Sequence, residues 1–362
     1  MTFVSTIGQS LDQVERIKLT QLQLNTLSTQ LATGRKTDLF EGLGTDVIPS
    51  KRARANFQKI DTYISNIDTA DRRVKLMFNT LTEIKNQAED VLSAIELQTQ
   101  QGEYEIESVS DLARNTANFI RDLVNLQDGD RYLFGGAETQ DAPLKDNGTL
   151  ETYLLAQLTD WADPATPADQ IDTDTLIDNY QNSGILNDSI IGYSATLTSG
   201  NVRSVTVRVE QNAEIDYSVY ANTDAIRDII VGVNMIGQID QVIDEVTLDP
   251  DDPATTITAP GVTKQDKNNN FYQFFNDLGA MLSRALDGID TELYQLSQSQ
   301  SQLAQIREDH VVDKNTLQQT IDDVENVDLN EVAVKLNSLQ IQLDASYRVT
   351  ATISRLNLAN FL

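Results

Sequence analysis

From Phe57 to Ile95 apolar side chains recur in steps of three and four: Phe57, Ile60, Ile64, Ile67, Val74, Phe78, Leu81, Ala88, Leu92 and Ile95. Asp71 and Lys85 occupy two polar positions of the same series. A strand would need a period of two. A period near 3.5, held for more than five heptads, leaves only a long helix packed along one seam. Fifty residues of helix extend about 75 Å. The segment is a rod, and the rest of the chain must supply something to cover it.

Candidates for that cover lie on both sides. Val109, Leu112, Thr116, Phe119, Leu123 and Leu126 predict a third helix. Phe271, Phe275, Leu278, Leu282, Ala285, Ile289, Leu296, Leu303 and Ile306 predict a second rod, running to about Asn326. A first helix is expected from Val4 to about Ala32, with Val4, Ile7, Leu11, Val14, Ile17, Leu24, Leu27 and Leu31 on one face. It is broken by "TGRKTDLFEGLGTDVIP", where glycines and a proline interrupt the pattern. Near the other end, Asp328 precedes Glu331 by three residues, the form of a capping box. The helix it opens carries two apolar stripes, Val332, Leu336, Leu339, Leu343 and Ile353 on one side, and Val334, Ile341, Ala345, Val349 and Leu356 on another.

The middle has a different texture. "RYLFGG" reads as a short strand closed by a glycine turn, and "YSATLTSGNVRSVTVRVEQNAEIDYSVYA" alternates as a hairpin about Ser199-Gly200-Asn201. "NTDAIRDIIVGVNMIGQIDQVIDEV" reads as one helix capped by Thr223 or Asn222. Pro164, Pro167, Pro250, Pro253 and Pro260 punctuate the loops. The expected fold is mainly α, with long antiparallel rods formed by the N- and C-terminal segments and an inserted α+β middle domain. The expected divisions are a terminal helical coil at 1–35 and 328–362, a rod domain at 36–136 and 271–327, and a variable insert at 137–270.

Charge narrows the partners. The chain has 27 basic and 55 acidic residues, a formal net charge of −28. That field repels phosphate backbones and anionic lipid, so neither nucleic acid nor membrane is an expected partner. Basic residues recur early (Arg16, Lys18, Arg35, Lys36, Lys51, Arg52, Arg54, Lys59), while acids crowd "DWADPATPADQIDTDT" and "DEVTLDPDDP". The ends therefore read as packing surfaces and the middle as a solvated face. "MTFVSTIGQSLDQVERIK" lacks the basic region and apolar core of a secretory signal, and no apolar run reaches membrane-helix length. The expectation is a soluble chain, cytoplasmic or exported without a cleaved signal.

Catalytic chemistry finds little support. There is no cysteine, which excludes thiolate sites and disulfides, and the single histidine, His310, is expected on a helix surface without triad or zinc partners. "DKNNNF" from Asp266 begins like a calcium loop, but Phe271 stands where a glycine is needed and Asp277 where a glutamate is; a solvated loop is expected. "GLGTDV" lacks the last glycine of a dinucleotide fingerprint, and "GYSAT" lacks the closing glycine of a nucleophile elbow. The acid pairs Asp172/Asp174 and Asp251/Asp252 are those of an acidic solvated loop. The expectation is a protein that is not an enzyme and carries no cofactor and no metal.

The feature left over is the surplus of apolar surface on the two terminal helices. One mutual seam barely offsets the cost of ordering the two helices. If copies pack together and bury the second stripes, the balance becomes favourable and the ends order on assembly; a head-to-tail contact that does not close gives a tube. Periodicity equally allows a second stripe that meets the other rods of the same chain.

"LNTLSTQLATGRK" resembles the N-terminal signature of bacterial flagellins and their relatives, and "DVIPSKRARANFQKIDTYISNIDTADRRVKLMFNTLTEI" is similar to the long helix that follows it. "RYLFGGAETQDAPL" and the finish "LDASYRVTATISRLNLANFL" are more similar to the hook–filament junction branch of that superfamily (hook-associated protein 3) than to flagellin. The resemblance covers about 4–144 and 271–362. In the stretch after "TGRK" the family's paired aspartates are reduced to Asp46, which leaves junction protein and filament-forming flagellin both open. The resemblance implies an extracellular structural subunit of the flagellum, exported through the flagellar secretion channel and joining the hook-side adaptor to the filament. It implies as partners copies of itself, hook-associated protein 1, flagellin, and the export apparatus with its chaperone. The assembly interface it implies is Val4, Ile7, Leu11, Val14, Leu24, Leu27, Leu31, Leu336, Leu339, Leu343, Val349, Ile353 and Leu356, with Leu24, Leu27, Leu31, Leu336, Leu339, Leu343 and Ile353 holding an inner coil. Arg35 and Lys36 would pair with acids on a neighbour.

Overall fold

The computed structural model describes the chain except residues 1–2, 102, 138–139, 146–147, 163–171, 182–185, 201, 244–245, 248–258, 262 and 360–362. Side chains at 3–7, 9–10, 97–101, 103–104, 181, 246–247, 264 and 353–359 also lie outside the description. The helices are α1 (Phe3–Thr33), α2 (Val47–Gln101), α3 (Ile106–Val124), α4 (Thr149–Ala162), α5 (Thr173–Gln181), α6 (Asp188–Ile191), α7 (Ala195–Thr198), α8 (Asp224–Gln238), α9 (Lys264–Glu325) and α10 (Leu329–Ala359). Among the described residues six short strands intervene: β1 (Glu103–Tyr104), β2 (Gln127–Asp128), β3 (Arg131–Tyr132), β4 (Thr206–Arg208), β5 (Glu214–Asp216) and β6 (Val246–Thr247). They pair antiparallel as β1 with β6, β2 with β3 and β4 with β5. Of the described residues 78% are helical, so the mainly helical reading with short strands in the middle region holds.

The chain divides into two compact units, one formed by Tyr63–Arg307 and the other by Met1–Thr62 with Glu308–Leu362. In the central unit α2 buries Ile67, Ala70, Val74, Met77, Leu81, Ile84, Ala88, Val91 and Ile95. These alternate in strict steps of three and four, and every member is apolar. The sequence reading placed Asp71, Phe78, Lys85 and Leu92 on the seam; each lies one residue off it, at the half-buried rim. That shift removes the two polar exceptions. Asp71 pairs with Lys75 (2.7 Å), and Lys85 reaches Asp290 of α9 (2.6 Å). Arg307 with Asp68 (2.6 Å) adds a second α2–α9 link, and together the pairs set the two helices antiparallel.

Helix α8 is buried on every side from Ile229 to Gln238, as a helix surrounded by others must be. It packs against α3, α4 and α5. Two glycines mark where backbones close on it: a Cβ at Gly288 of α9 would lie 2.7 Å from Ala225 Cβ, and one at Gly237 would lie 3.0 Å from Arg114 Cγ. Arg227 is buried on α8, and its guanidinium donates to the carbonyls of Tyr180 (2.8 Å) and Leu186 (2.6 Å). Trp161 is fully buried; its Nε1 donates to Thr173 Oγ1 (3.0 Å), and its ring centroid lies 5.0 Å from that of Phe274.

The structure departs from several sequence expectations. The hairpin is β4–β5, pairing Val207 with Ile215, and the supposed turn at Ser199-Gly200 instead closes α7, whose N-cap is Ser194. Alternation in that stretch is real only from residue 206 onward. The helix expected through Val246 ends at Gln238 and a single 3₁₀ turn, Ile239–Gln241. Thr223 is the N-cap of α8, but its hydroxyl makes no capping bond. "DKNNNF" is neither a calcium loop nor a solvated loop: it forms the first turns of α9. Asp266 Oδ2 accepts from Thr263 N (3.0 Å) while Thr263 Oγ1 accepts from Asp266 N (3.1 Å), a reciprocal cap. Asp172 likewise caps α5, accepting from Thr175 N (2.8 Å). Asp251, Asp252, Pro164, Pro167, Pro250 and Pro253 lie outside the described residues. His310 is not on the surface but 6% exposed, because it continues the α9 seam four residues after Ile306. Among the described residues no helix is long and apolar enough to cross a membrane, and no group of three or more metal-ligating side chains is gathered.

Candidate assembly surface

Helices α1 and α10 pack on each other. On α1 the half-buried positions are Gln13, Ile17, Thr20, Leu24, Leu27 and Gln30, and on α10 they are Leu336, Leu339, Leu343, Ser346 and Thr350, after a buried Val332. Both rows step by three and four, the signature of a two-helix seam. Gln21 Nε2 donates to Tyr347 Oη (2.6 Å), while residues 19–30 and 335–339 together line one groove; the two helices are therefore antiparallel. The seam is thin. Gln13, Thr20, Gln30, Ser346 and Thr350 are polar, and no side chain in the α1 row is fully buried.

Outside that seam each helix also exposes apolar side chains to solvent. Leu11, Val14, Leu19 and Leu22 are exposed on α1; Val334, Ala345 and Val349 are exposed on α10, with Ile341 at 65%. The groove of about 570 Å³ beside the seam is lined by Leu19, Leu22, Leu27, Lys335 and Leu339, among others.

The turn after α1 ties this pair to the α9–α10 joint. Gly34 sits at φ +70, a left-handed conformation suited to glycine, and ends α1. Arg35 forms an antiparallel bridge with Asn326, and the flanking bonds are Lys36 N to Glu325 O (2.7 Å) and Val327 N to Gly34 O (3.0 Å). Asp328 then caps α10 through Asn330 N (2.8 Å) and Glu331 N (3.3 Å). Below the turn, Glu325 accepts from Arg54 Nε (2.7 Å) and Nη2 and from Ser50 Oγ (2.6 Å). The Arg54 bonds hold its carboxyl down to about 2, against the opposing effect of burial.

The residues singled out from sequence separate into groups. Leu24, Leu27, Leu336, Leu339 and Leu343 come together in the seam, whereas Leu11, Val14 and Val349 face solvent. Leu31 is not in the inner coil: it is 39% exposed, because Gln30 takes the seam position three residues after Leu27. The side chains of Val4, Ile7, Ile353 and Leu356 lie outside the described residues. Lys36 Nζ donates one hydrogen bond to the Asp323 carbonyl (2.8 Å). Arg35 lines a hollow that also includes Arg54 and Glu325. Leu19 and Leu22 were missed because they are out of phase with the seam; their spacing of three, off the main row, was the available signal.

No protein-family profile matches the chain, and no curated protein matches it. Among solved structures it is similar to a Vibrio parahaemolyticus protein described as flagellar hook-associated, at 12% identity and a TM-score of 0.43, over 77% of this chain and 97% of that one.

Proposed function

We propose that this chain is a structural subunit of the bacterial flagellum that joins the hook-side adaptor to the flagellin filament, its terminal helices completing their burial against neighbouring subunits. The observation that carries this reading is the apolar surface that both helices of the α1–α10 pair leave outside their seam, with Leu11, Val14, Leu19, Leu22, Val334, Ile341 and Val349 in water. Exposed large apolar side chains gathered on both helices of one pair are the form a contact surface takes. The thin, partly polar seam supports the same reading, since the pair gains its missing burial only from outside. The sequence supports it independently: "LNTLSTQLATGRK", "RYLFGGAETQDAPL" and "LDASYRVTATISRLNLANFL" stand in family order at the two ends of the resemblance. Its partners in this reading are copies of itself, hook-associated protein 1 and flagellin, after export in the care of a chaperone.

Deleting the chain in motile cells tests the proposal. Flagellin monomer released into the medium is the expected result; normal filaments on the deletion strain overturn it. A filament-forming flagellin would differ by polymerising alone, as purified protein, into long filaments.

A further inference from the structure

A helix seam with a seven-residue repeat does not fix its own register. On α1 the half-buried row falls into two such series, Gln13, Thr20 and Leu27, and Ile17 and Leu24. On α10 the series are Leu336, Leu343 and Thr350, and Leu339 and Ser346. Sliding one helix by seven residues, about 10 Å, brings each series back into the same geometry. In the observed register Gln21 bonds to Tyr347, which sets Ile17 level with Thr350. A slip that sets Gln21 level with Gln340 would bring Ile17 level with Leu343 instead. Apolar burial along the seam therefore does not favour the register observed. The Gln21–Tyr347 bond is a single exposed one, which contributes little.

What cannot slide is the end of the pair. The turn after α1 and the α9–α10 joint meet in a short antiparallel bridge, with Lys36 N donating to Glu325 O (2.7 Å) and Val327 N to Gly34 O (3.0 Å). Asp328 follows at once and caps α10 through Asn330 N (2.8 Å), so there is no slack between bridge and helix. On the other side Gly34 N donates to Gln30 O (2.8 Å), and Gln30 Nε2 donates to the Lys36 carbonyl (2.7 Å). A slip of one heptad breaks both bonds of the bridge. The bridge in turn needs Gly34 at φ +70, and a Cβ at that position would meet nothing within 4 Å. A side chain there acts on the backbone conformation and on nothing else.

We infer that the bridge between Gly34–Lys36 and Glu325–Val327 is the register lock of the terminal helices: it sets which level of α1 stands against which level of α10. The groove beside the seam follows from that alignment, since Leu19 and Leu22 share it with Lys335 and Leu339 in the locked register. For assembly the inference rests on the reading above: with the lock closed, every copy presents its neighbours with one fixed arrangement of apolar side chains.

The chain has no cysteine, so two placed thiols can be labelled alone. Spin labels on Ser28→Cys and Arg348→Cys, both exposed positions of the full chain, read the register by pulsed electron spin resonance. The labelled parent and its Gly34→Asn variant, which tolerates the left-handed conformation, are expected to give one narrow distance distribution. Gly34→Val disfavours that conformation, and Val327→Pro removes the bridging N–H. Both are expected to add a population displaced by about 10 Å along the axis, or to broaden the whole distribution. One narrow distribution in all four proteins overturns the inference and leaves the assembly reading standing. A short bismaleimide on Ile341→Cys chains tests that reading apart. Copy-to-copy product is expected with the lock intact, and about tenfold less with Gly34→Val. No product in either chain overturns the assembly reading and leaves the spin-label result untouched. Circular dichroism of each variant confirms that the helices are intact.

Discussion

The Glu325 carboxylate takes both of its Arg54 bonds and its Ser50 bond within one turn of the place where α9 gives way to α10. Glu325 is also the residue whose carbonyl receives Lys36 N from the turn after α1. One residue thus anchors the α2–α9 pairing with its side chain and the α1 turn with its backbone. Its side chain is nearly buried while Arg54 is partly open to water, so the pair is strong enough to position and weak enough to titrate.

The pH dependence of that anchor has a definite sign. The Glu325 carboxyl is held at about 2, below its ordinary value of 4.5, so its contribution is complete above the unfolded value and is lost as pH falls from about 4.5 towards 2. Glu325→Gln is expected to cost about 1–2 kcal/mol at pH 7, after allowance for screening at the exposed Arg54. Denaturant titrations of both proteins between pH 7 and pH 2 should show the difference shrinking at the acid end.

Asp228 behaves in the opposite sense. Burial on α8 pushes its carboxyl up to about 6, against the pull of Arg227. Its contribution is present below the unfolded value near 3.8 and is lost as pH rises through about 6. Asp228→Asn is expected to stabilise the protein by about 1–2 kcal/mol at pH 8 and to make no difference below pH 4. Thermal melts at the two pH values measure this directly.

Gly288 and Ala225 touch where α9 crosses α8. A methyl group at Gly288 meets another methyl fixed to the backbone, which cannot rotate away. Gly288→Ala is expected to cost about 1–3 kcal/mol. The double variant Gly288→Ala/Ala225→Gly should recover most of it, as read by urea unfolding.

The terminal faces separate stability from assembly. Ile341→Ser changes a solvent-facing side chain, so unfolding of the isolated chain should move by no more than about 0.5 kcal/mol. Copy-to-copy cross-linking at the termini should fall sharply. Hydrogen exchange on the isolated chain should find the amides of α1 and α10 at least about a hundredfold faster than those around Val74 to Val91.

The helix rows could be read from the sequence almost to the residue. The steps of three and four from Ile67 to Ile95 determine a helix and a seam, because only one face of a 3.6-residue turn can be covered by a single partner. The choice between Asp71 and Ala70, or between Lys85 and Ile84, was not in the spacing, since both fit a heptad within one residue. It was settled by what α9 presents: Asp290 draws Lys85 to the rim. His310 shows the same limit. A lone histidine after the charged run Arg307–Asp309 reads as surface, and only the path of the α9 seam places it inside.

The candidate surface was legible in part for a related reason. Val334, Ile341 and Val349 stand out of phase with Leu336, Leu339 and Leu343, so two stripes were visible before any packing was known. Which stripe is covered depends on the phase of α1, where Gln30 replaces Leu31 in the seam. Periodicity along the chain determined the helices, their lengths and their apolar rows; proximity between distant segments decided which row is dry, because burial depends on the neighbour as much as on the residue.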